Sequence, residues 1–308
     1  MTVNNNQKIL ITGGAGYIGS HIALLLIEKG YDIVILDDLS TGSIDAILTD
    51  DFYQGDIADR NLLKKIFSEH NINGVMHFAG VILVGESVIK PIEYYQVNFS
   101  KTIILLDEMI KHNVKNFIFS STAAVFGEPS YTPIDTKHPK NPINPYGRSK
   151  LMLEQALNDF EKAYKLRYAS LRYFNAAGAD PKGKIGFHEP TTHLIPQVLK
   201  AASGRMNAFS IYGTDYNTND GTCIRDYIHV MDLAQAHILA FEKLLSNEKS
   251  CSYNLGNNLG FSILEVVNAV KKVTNTEFEV ISSNRRYGDP AILVADSKET
   301  GVSHFDFT

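Results

Sequence analysis

A glycine run near the start of the chain constrains its fold more than any other feature. The predicted strand at residues 8–11 leads into Gly13-Gly14-Ala15-Gly16-Tyr17-Ile18-Gly19, so the glycines fall as G-x-x-G-x-x-G where a helix would open. Glycine permits the tight strand-to-helix turn and lets backbone amides approach a pyrophosphate, and the positive end of the helix favours the anion. The run therefore predicts a dinucleotide site.

The segments that follow repeat the same alternation. Short β-branched runs at 32–36, 75–78, 116–119 and 167–171 are separated by helical patterns at 19–28, 61–69, 92–111 and 146–164. This βαβα rhythm predicts an α/β fold, a doubly wound parallel sheet of Rossmann type with its ligand edge at the strands' carboxyl ends. After Asn175 the rhythm loosens into Gly-, Pro- and His-rich loops at 178–190 and 213–222, with helices near 193–202 and 232–245. At 308 residues the chain exceeds one usual compact core. The expected division is a dinucleotide-binding domain over 1–175, rejoined by 225–250, and a smaller C-terminal α/β substrate domain over 176–308.

The second strand closes on Asp37-Asp38, roughly twenty residues after the glycines, where an acid can accept ribose hydroxyls and repels a 2′-phosphate. That favours NAD over NADP. Asp37 closes the strand, whereas Asp38 also reads as a solvated turn residue. Asp56 and Ile57, after a third strand, are candidates to border the adenine.

Charge excludes other partners. Lys plus Arg number 29 against 34 Asp plus Glu, a net charge of −5 that offers no broad cationic field for nucleic acid or an anionic membrane. The two cysteines, Cys223 and Cys251, lack metal-ligand spacing and are expected to be reduced. Residues 2–8 are polar and lead directly into the first strand, and apolar stretches such as 22–27 fall short of the roughly 20 residues a membrane helix needs. A cytoplasmic protein acting on a small ligand is the expectation.

Tyr146 and Lys150 stand at i and i+4, neighbours on one helix face. A cation beside a phenol stabilises phenolate, which lets tyrosine act as a base near neutral pH. Upstream, Ser120-Ser121-Thr122 ends a predicted strand at the ligand edge. One hydroxyl there is expected to hold a substrate oxygen against Tyr146; Thr122 is preferred, Ser121 is the alternative, and periodicity does not separate them.

Taken in order and spacing, Gly13 to Gly19, His77-Phe78-Ala79-Gly80, Ser120-Ser121-Thr122, Tyr146 to Lys150 and Arg172-Tyr173-Phe174-Asn175 resemble the extended short-chain dehydrogenase/reductases. The segments Arg225-Asp226-Tyr227-Ile228-His229-Val230 and Arg285-Arg286-Tyr287-Gly288-Asp289 resemble the UDP-glucose 4-epimerase family in particular. The resemblance implies that Gly13, Gly16, Tyr17, Ile18, Gly19, Asp37, Asp38, Asp56, Ile57, Phe78, Ala79, Asn98, Tyr146, Lys150 and Tyr173 contact NAD. It implies catalysis by Thr122, Tyr146 and Lys150. It also implies nucleotide-sugar binding by Thr122, Tyr146, Asn175, His193, Leu194, Ser210, Tyr212, Arg225, Arg286 and Asp289, with the bulk of Leu293 limiting room around the sugar's C2 substituent. Arginine suits the diphosphate because its guanidinium binds phosphate oxygens bidentately.

The implied reaction interconverts UDP-glucose and UDP-galactose by transient oxidation at C4, with NAD retained throughout. UDP-uronic acids, UDP-pentoses and N-acetylated hexosamines undergo the same C4 chemistry and are the alternative substrates. A 4,6-dehydratase would carry an Asp-Glu pair after the threonine, where Ala123-Ala124 stand. A non-catalytic NAD-binding relative is opposed by the complete trio. The helical stretches 92–111 and 146–164 resemble those that pair two subunits, which implies a homodimer. Two departures stand out. Ile82 occupies the position of a frequent cofactor-contacting lysine, and the chain stops at Thr308 where relatives usually continue through another helix or two.

Overall fold

The structure, a computed structural model, describes residues 7–187, 192–286 and 288–298. Tyr287, the end of the predicted 178–190 loop and the tail at 301–308 lie outside the described residues. In chain order the first half runs β1 (Lys8–Thr12), α1 (Tyr17–Glu28), β2 (Asp32–Asp37), β3 (Phe52–Gln54), α2 (Arg60–Glu69), β4 (Ile72–His77), α3 (Val84–Ile89), α4 (Pro91–Tyr95), α5 (Thr102–Lys111), β5 (Asn116–Thr122), α6 (Pro145–Tyr164) and β6 (Arg167–Tyr173). The remainder runs β7 (Asn175–Ala177), α7 (Leu194–Ala202), β8 (Ala208–Tyr212), β9 (Ile224–His229), α8 (Val230–Leu245), β10 (Cys251–Leu255), β11 (Gly260–Ser262), α9 (Ile263–Thr274), β12 (Glu279–Ser283) and β13 (Ile292–Leu293).

Seven parallel strands form the main sheet in the order β10-β6-β5-β4-β1-β2-β3. Alternation along each strand sends neighbouring side chains to opposite faces. In β1, Ile9 and Ile11 join one core with Ile22 and Leu26 of α1 and Leu233 and Phe241 of α8. Leu10, between them, joins the other core with Leu63 of α2, Leu105 of α5 and Leu153 of α6. Because both faces are covered, β5 is buried at every residue. The strand order reverses between β1 and β4, which opens a crevice at their carboxyl ends. Thr12 O accepts the amides of Phe78 (2.8 Å) and Ala79 (3.0 Å) there, pinning the two strand exits together.

Several elements differ from the sequence expectation. The helical pattern at 92–111 is not one helix. It divides into α4, a π-helical segment over Gln96–Lys101, and α5, because a wide turn inserted there re-aims the side chains that follow. Strands β5 and β6 extend through Thr122 and Tyr173, so the hydroxyl run belongs to the strand itself. Within 225–250, α8 packs on the main sheet, while β9 lies in a four-stranded sheet with β7, β11 and β13. A two-stranded sheet, β8 with β12, completes the second half and packs against α7 and α9 around Val198, Phe209, Ile211 and Val267.

Candidate active site

The glycine run folds as a turn from β1 into α1. Gly13 has φ +73°, and a Cβ there would lie 2.4 Å from Ala79 N, so a side chain is excluded by both conformation and space. Gly16 is the N-cap of α1 and contributes no side-chain cap, and no acid occupies the first turn. The first-turn amides have no intrahelical acceptors and sit at the positive end of the helix dipole, which suits a pyrophosphate. At the end of β2, Asp37 is buried, and its oxygens accept the amides of Ala15 (2.9 Å) and Leu39 (2.8 Å). Burial raises its pKa, and these amides oppose that rise. A carboxylate offers about four lone-pair sites, so acceptor capacity remains for a ribose. Asp38 instead ties its own turn by accepting the amide and hydroxyl of Ser40.

These residues line a cavity of about 800 Å³ together with Asp56, Ile57, Phe78, Ala79 and Tyr173. Asp56 pairs with Lys101 from the π-helical segment. Like Lys150, Asn98 is a candidate cofactor contact that lies buried outside the cavity wall. Its side chain bonds Val81 N (2.9 Å), Val81 O (3.0 Å) and Ser149 Oγ (3.1 Å), clamping the loop after β4 to α6. Ile82 is half-exposed on the lining of both cavities.

Helix α6 delivers the phenol and the ammonium. Asn144 caps it by accepting Gly147 N (2.8 Å), and Pro145 starts it, so Tyr146 stands in the first turn and Lys150 one turn later. Tyr146 lines the cavity with Thr122 and Ser120. Burial pushes the Tyr146 phenol above its ordinary range, and a hydrogen bond with Thr122 pulls in the opposite direction. Lys150 is 3% exposed, donates to Ser120 O (3.1 Å), and burial lowers its pKa to about 8. The Tyr173 hydroxyl bonds Ser120 Oγ.

The strand separates the two candidate hydroxyls. Ser121 Oγ points away from the cavity and donates to Glu154 Oε1 (2.7 Å), whereas Thr122 Oγ1 is on the cavity side and accepts Ala124 N (3.1 Å). Glu154 is a residue the sequence reading missed. It is buried on α6, one turn beyond Lys150, and also receives Arg172 Nε (2.7 Å), Arg172 Nη2 (2.9 Å) and Lys140 Nζ (2.8 Å). Burial raises its pKa, but Arg172 and Lys140 outweigh this and hold the carboxyl below its ordinary range. The knot joins α6, β5 and β6 directly behind Thr122 and Tyr146. The i, i+4, i+8 spacing of Tyr146, Lys150 and Glu154 on one helix face was the signal available in the sequence.

A second cavity of about 1400 Å³ adjoins the first, and Asn175, His193, Arg225 and Asp289 line both. Leu194, Ser210, Tyr212 and Arg286 line the larger one and Leu293 the smaller. The Arg286 guanidinium lies 3.8 Å from the Tyr212 ring centroid, and Arg225 Nη2 lies 3.8 Å from Asp289 Oδ1. Burial lowers the pKa of His193 and favours its neutral form. Asn175 Nδ2 donates to Asp226 O (2.8 Å), and the Asp226 carboxylate accepts the amides of Asn257 (2.8 Å), Asn258 (3.2 Å) and Ala295 (3.0 Å). One buried acid thus gathers three chain segments beside Arg225. The described residues contain no cluster of three or more groups suited to a metal and no helix long and apolar enough to cross a membrane. Cys223 is buried and Cys251 partly buried, and both are free.

Comparison with known proteins agrees with this geometry. Residues 9–256 match the NAD dependent epimerase/dehydratase family. The UDP-glucose 4-epimerase of Halalkalibacterium halodurans is 52% identical over 294 residues, covering 95% of this chain and 88% of that protein. The crystal structure of UDP-glucose 4-epimerase from Brucella ovis in complex with NAD superposes with a TM-score of 0.92 at 47% identity, over 96% of this chain and 91% of that one. That of the Bifidobacterium longum UDP-glucose 4-epimerase in complex with NAD+ and UDP gives 0.91 at 40% identity, with coverage of 96% and 91%. The chain therefore belongs to the NAD dependent epimerase/dehydratase family and, within it, to the UDP-glucose 4-epimerases.

Proposed function

We infer that this protein interconverts UDP-glucose and UDP-galactose. The observation that carries the reading is that Thr122 and Tyr146 line one cavity, with buried Lys150 one helical turn beyond Tyr146 and bonded to Ser120 O of its wall, and that a second, arginine-bearing cavity adjoins it. NAD fits the first cavity through the bare N-terminus of α1 and the acid at the end of β2. When bound, NAD would accept a hydride from C4 of the sugar and return it to the opposite face.

In this reading, Tyr146 takes the proton of the sugar's 4-hydroxyl, and Lys150 holds charge beside the phenolate. Thr122 steadies the C4 oxygen. Burial alone pushes the phenol up and the ammonium down, which favours an uncharged pair. The positive ring of an oxidised nicotinamide would shift the balance towards phenolate. Arg225 and Arg286 hold the diphosphate while the keto sugar turns beside Tyr146, where the two cavities adjoin, and Tyr146 returns the proton. Affinity for the non-reacting UDP thus anchors the chemistry.

The same reading divides the chain into an NAD-binding unit around the main sheet, including α8 and β10, and a nucleotide-sugar unit formed by the rest. It takes the protein as a cytoplasmic homodimer, supported by free cysteines and by exposed Ile89, Ile92 and Met152 on α3, α4 and α6. The test is twofold: assay purified protein with UDP-galactose, and identify what denaturation releases. UDP-glucose as product and NAD in the released fraction are expected. Absence of turnover by a folded protein that releases NAD would reject the catalytic reading.

A further inference from the structure

Loop 178–187 joins the two halves of the site, and it is seated along one stripe of α1. At its start, Gly178 has φ +88° and packs against His229, so that a Cβ would lie 2.3 Å from His229 Nε2. Tyr17 Oη donates to Gly178 O at 2.7 Å. One turn and more along the helix, Leu24 packs with Ile185 in a small buried cluster. At the helix end, Glu28 Oε1 accepts Lys182 Nζ (2.9 Å) and Lys184 Nζ (3.1 Å). Tyr17, Leu24 and Glu28 are spaced by seven and four residues, which places them on one face of the helix. The loop is also closed on itself, since Asp180 accepts Gly183 N and Lys184 N and donates its own amide to Ile185 O.

Further along the loop stands Phe187, whose ring centroid lies 4.3 Å from that of Tyr17 and 4.9 Å from that of His193. Tyr17 follows the N-cap of the helix whose amides face the pyrophosphate, and His193 opens α7 on the nucleotide-sugar side. Phe187 lines both cavities. Its two ring contacts form an aromatic bridge from the dinucleotide turn to the substrate wall.

We propose that Phe187 is a positioning residue for substrate: held by loop 178–187 on α1, it sets His193 and the neighbouring wall of the larger cavity in register with the bound dinucleotide. The proposal rests on the functional reading above. Its consequence is a split in the kinetic constants. Tyr146, Lys150 and Thr122 sit on the main sheet and α6, so disturbing the bridge should weaken UDP binding without altering the chemical step.

The test uses the NAD-bound enzyme, titrated calorimetrically with UDP and assayed with UDP-galactose. An aromatic contact is worth about a two- to tenfold change in affinity, so Phe187→Leu should raise the UDP Kd and the KM by about that factor. The kcat should stay within about twofold, the pattern expected when binding common to ground and transition states is lost. Phe187→Tyr keeps the ring and should restore the parent values. Tyr17→Phe loses only the bond to Gly178 and should move KM in the same direction. Parent-like UDP affinity in Phe187→Leu, or a fall in kcat with KM unchanged, would overturn the proposal. Failure of the parent protein to epimerise UDP-galactose would instead overturn the functional reading, because the UDP titration measures the bridge by itself.

Discussion

The main sheet and the two small sheets hold their functional residues in different ways. Strand β5 is buried throughout, flanked by β4 and β6 and covered by helices, so Thr122 inherits its position from a continuous ladder and two apolar faces. In the other region, β12 and β11 are largely exposed, and their apolar cluster is small. Polar ties compensate there: Asp226 collects three amides, and Arg225 rests against Asp289. Packed layers tolerate little local displacement, whereas residues held by single ties shift one at a time. Changes on the sheet side should therefore appear in chemistry and global stability, and changes on the loop-built side in substrate affinity.

The strongest way to break that comparison is Tyr146→Phe. It removes one oxygen from a ring that stays packed, so NAD should be retained while epimerisation falls by about 10² to 10⁴, the usual worth of general-base catalysis. Rapid kinetics with UDP-galactose, alongside the NAD content of the purified variant, checks both halves. Near-parent turnover would mean that another group is the base.

Next in size is Glu154→Ala. Arg172 is 2% exposed and would lose its carboxylate partner. Breaking such a buried pair typically costs about 3–5 kcal/mol, which urea denaturation would show as a lower midpoint. Loss below about 1 kcal/mol, in the range of exposed pairs, would show that the knot behind β5 is not a stiff part of the scaffold.

A subtler test concerns charge. The Lys150 pKa is lowered to about 8 by burial, so its cation is present below that pH and is lost as pH rises through it. The kcat/KM should decline on the alkaline side accordingly. Lys150→Arg, whose guanidinium stays charged up to about pH 12, should have a lower plateau but no such decline. An alkaline limb identical in the two proteins would assign the titration elsewhere.

The smallest expected effect is on the loop-built side. Leu293 lines the smaller cavity at the end of β13 and packs beside Phe126 and Phe174. Leu293→Ala should raise the ratio of activity on UDP-N-acetylglucosamine to that on UDP-glucose by about 10- to 100-fold at most, since a few methylenes in a pocket are worth about 1–3 kcal/mol. An unchanged ratio would show that Leu293 is not the gate and that sugar size is set elsewhere on the wall.

The sequence by itself determined the parts governed by short-range rules. The glycine turn, the acid closing β2, the strand-helix alternation and the Tyr146–Lys150 spacing all follow from local conformation and helix periodicity, and so they are legible within a few residues of one another. Tertiary structure decided what depends on distant partners. Ser121 and Thr122 are indistinguishable locally, and only the buried Glu154 on α6 claims the first and leaves the second to the cavity. Asn98 stands in a π-helical turn with its side chain bonded to the Val81 backbone, which a helical pattern at 92–111 does not disclose. The convergence of His193, Ser210, Arg225 and Arg286 on one cavity wall arises from separate loops and small sheets. No periodicity links such segments; the long-range hydrogen bonds and packing that unite them exist only once the chain is folded.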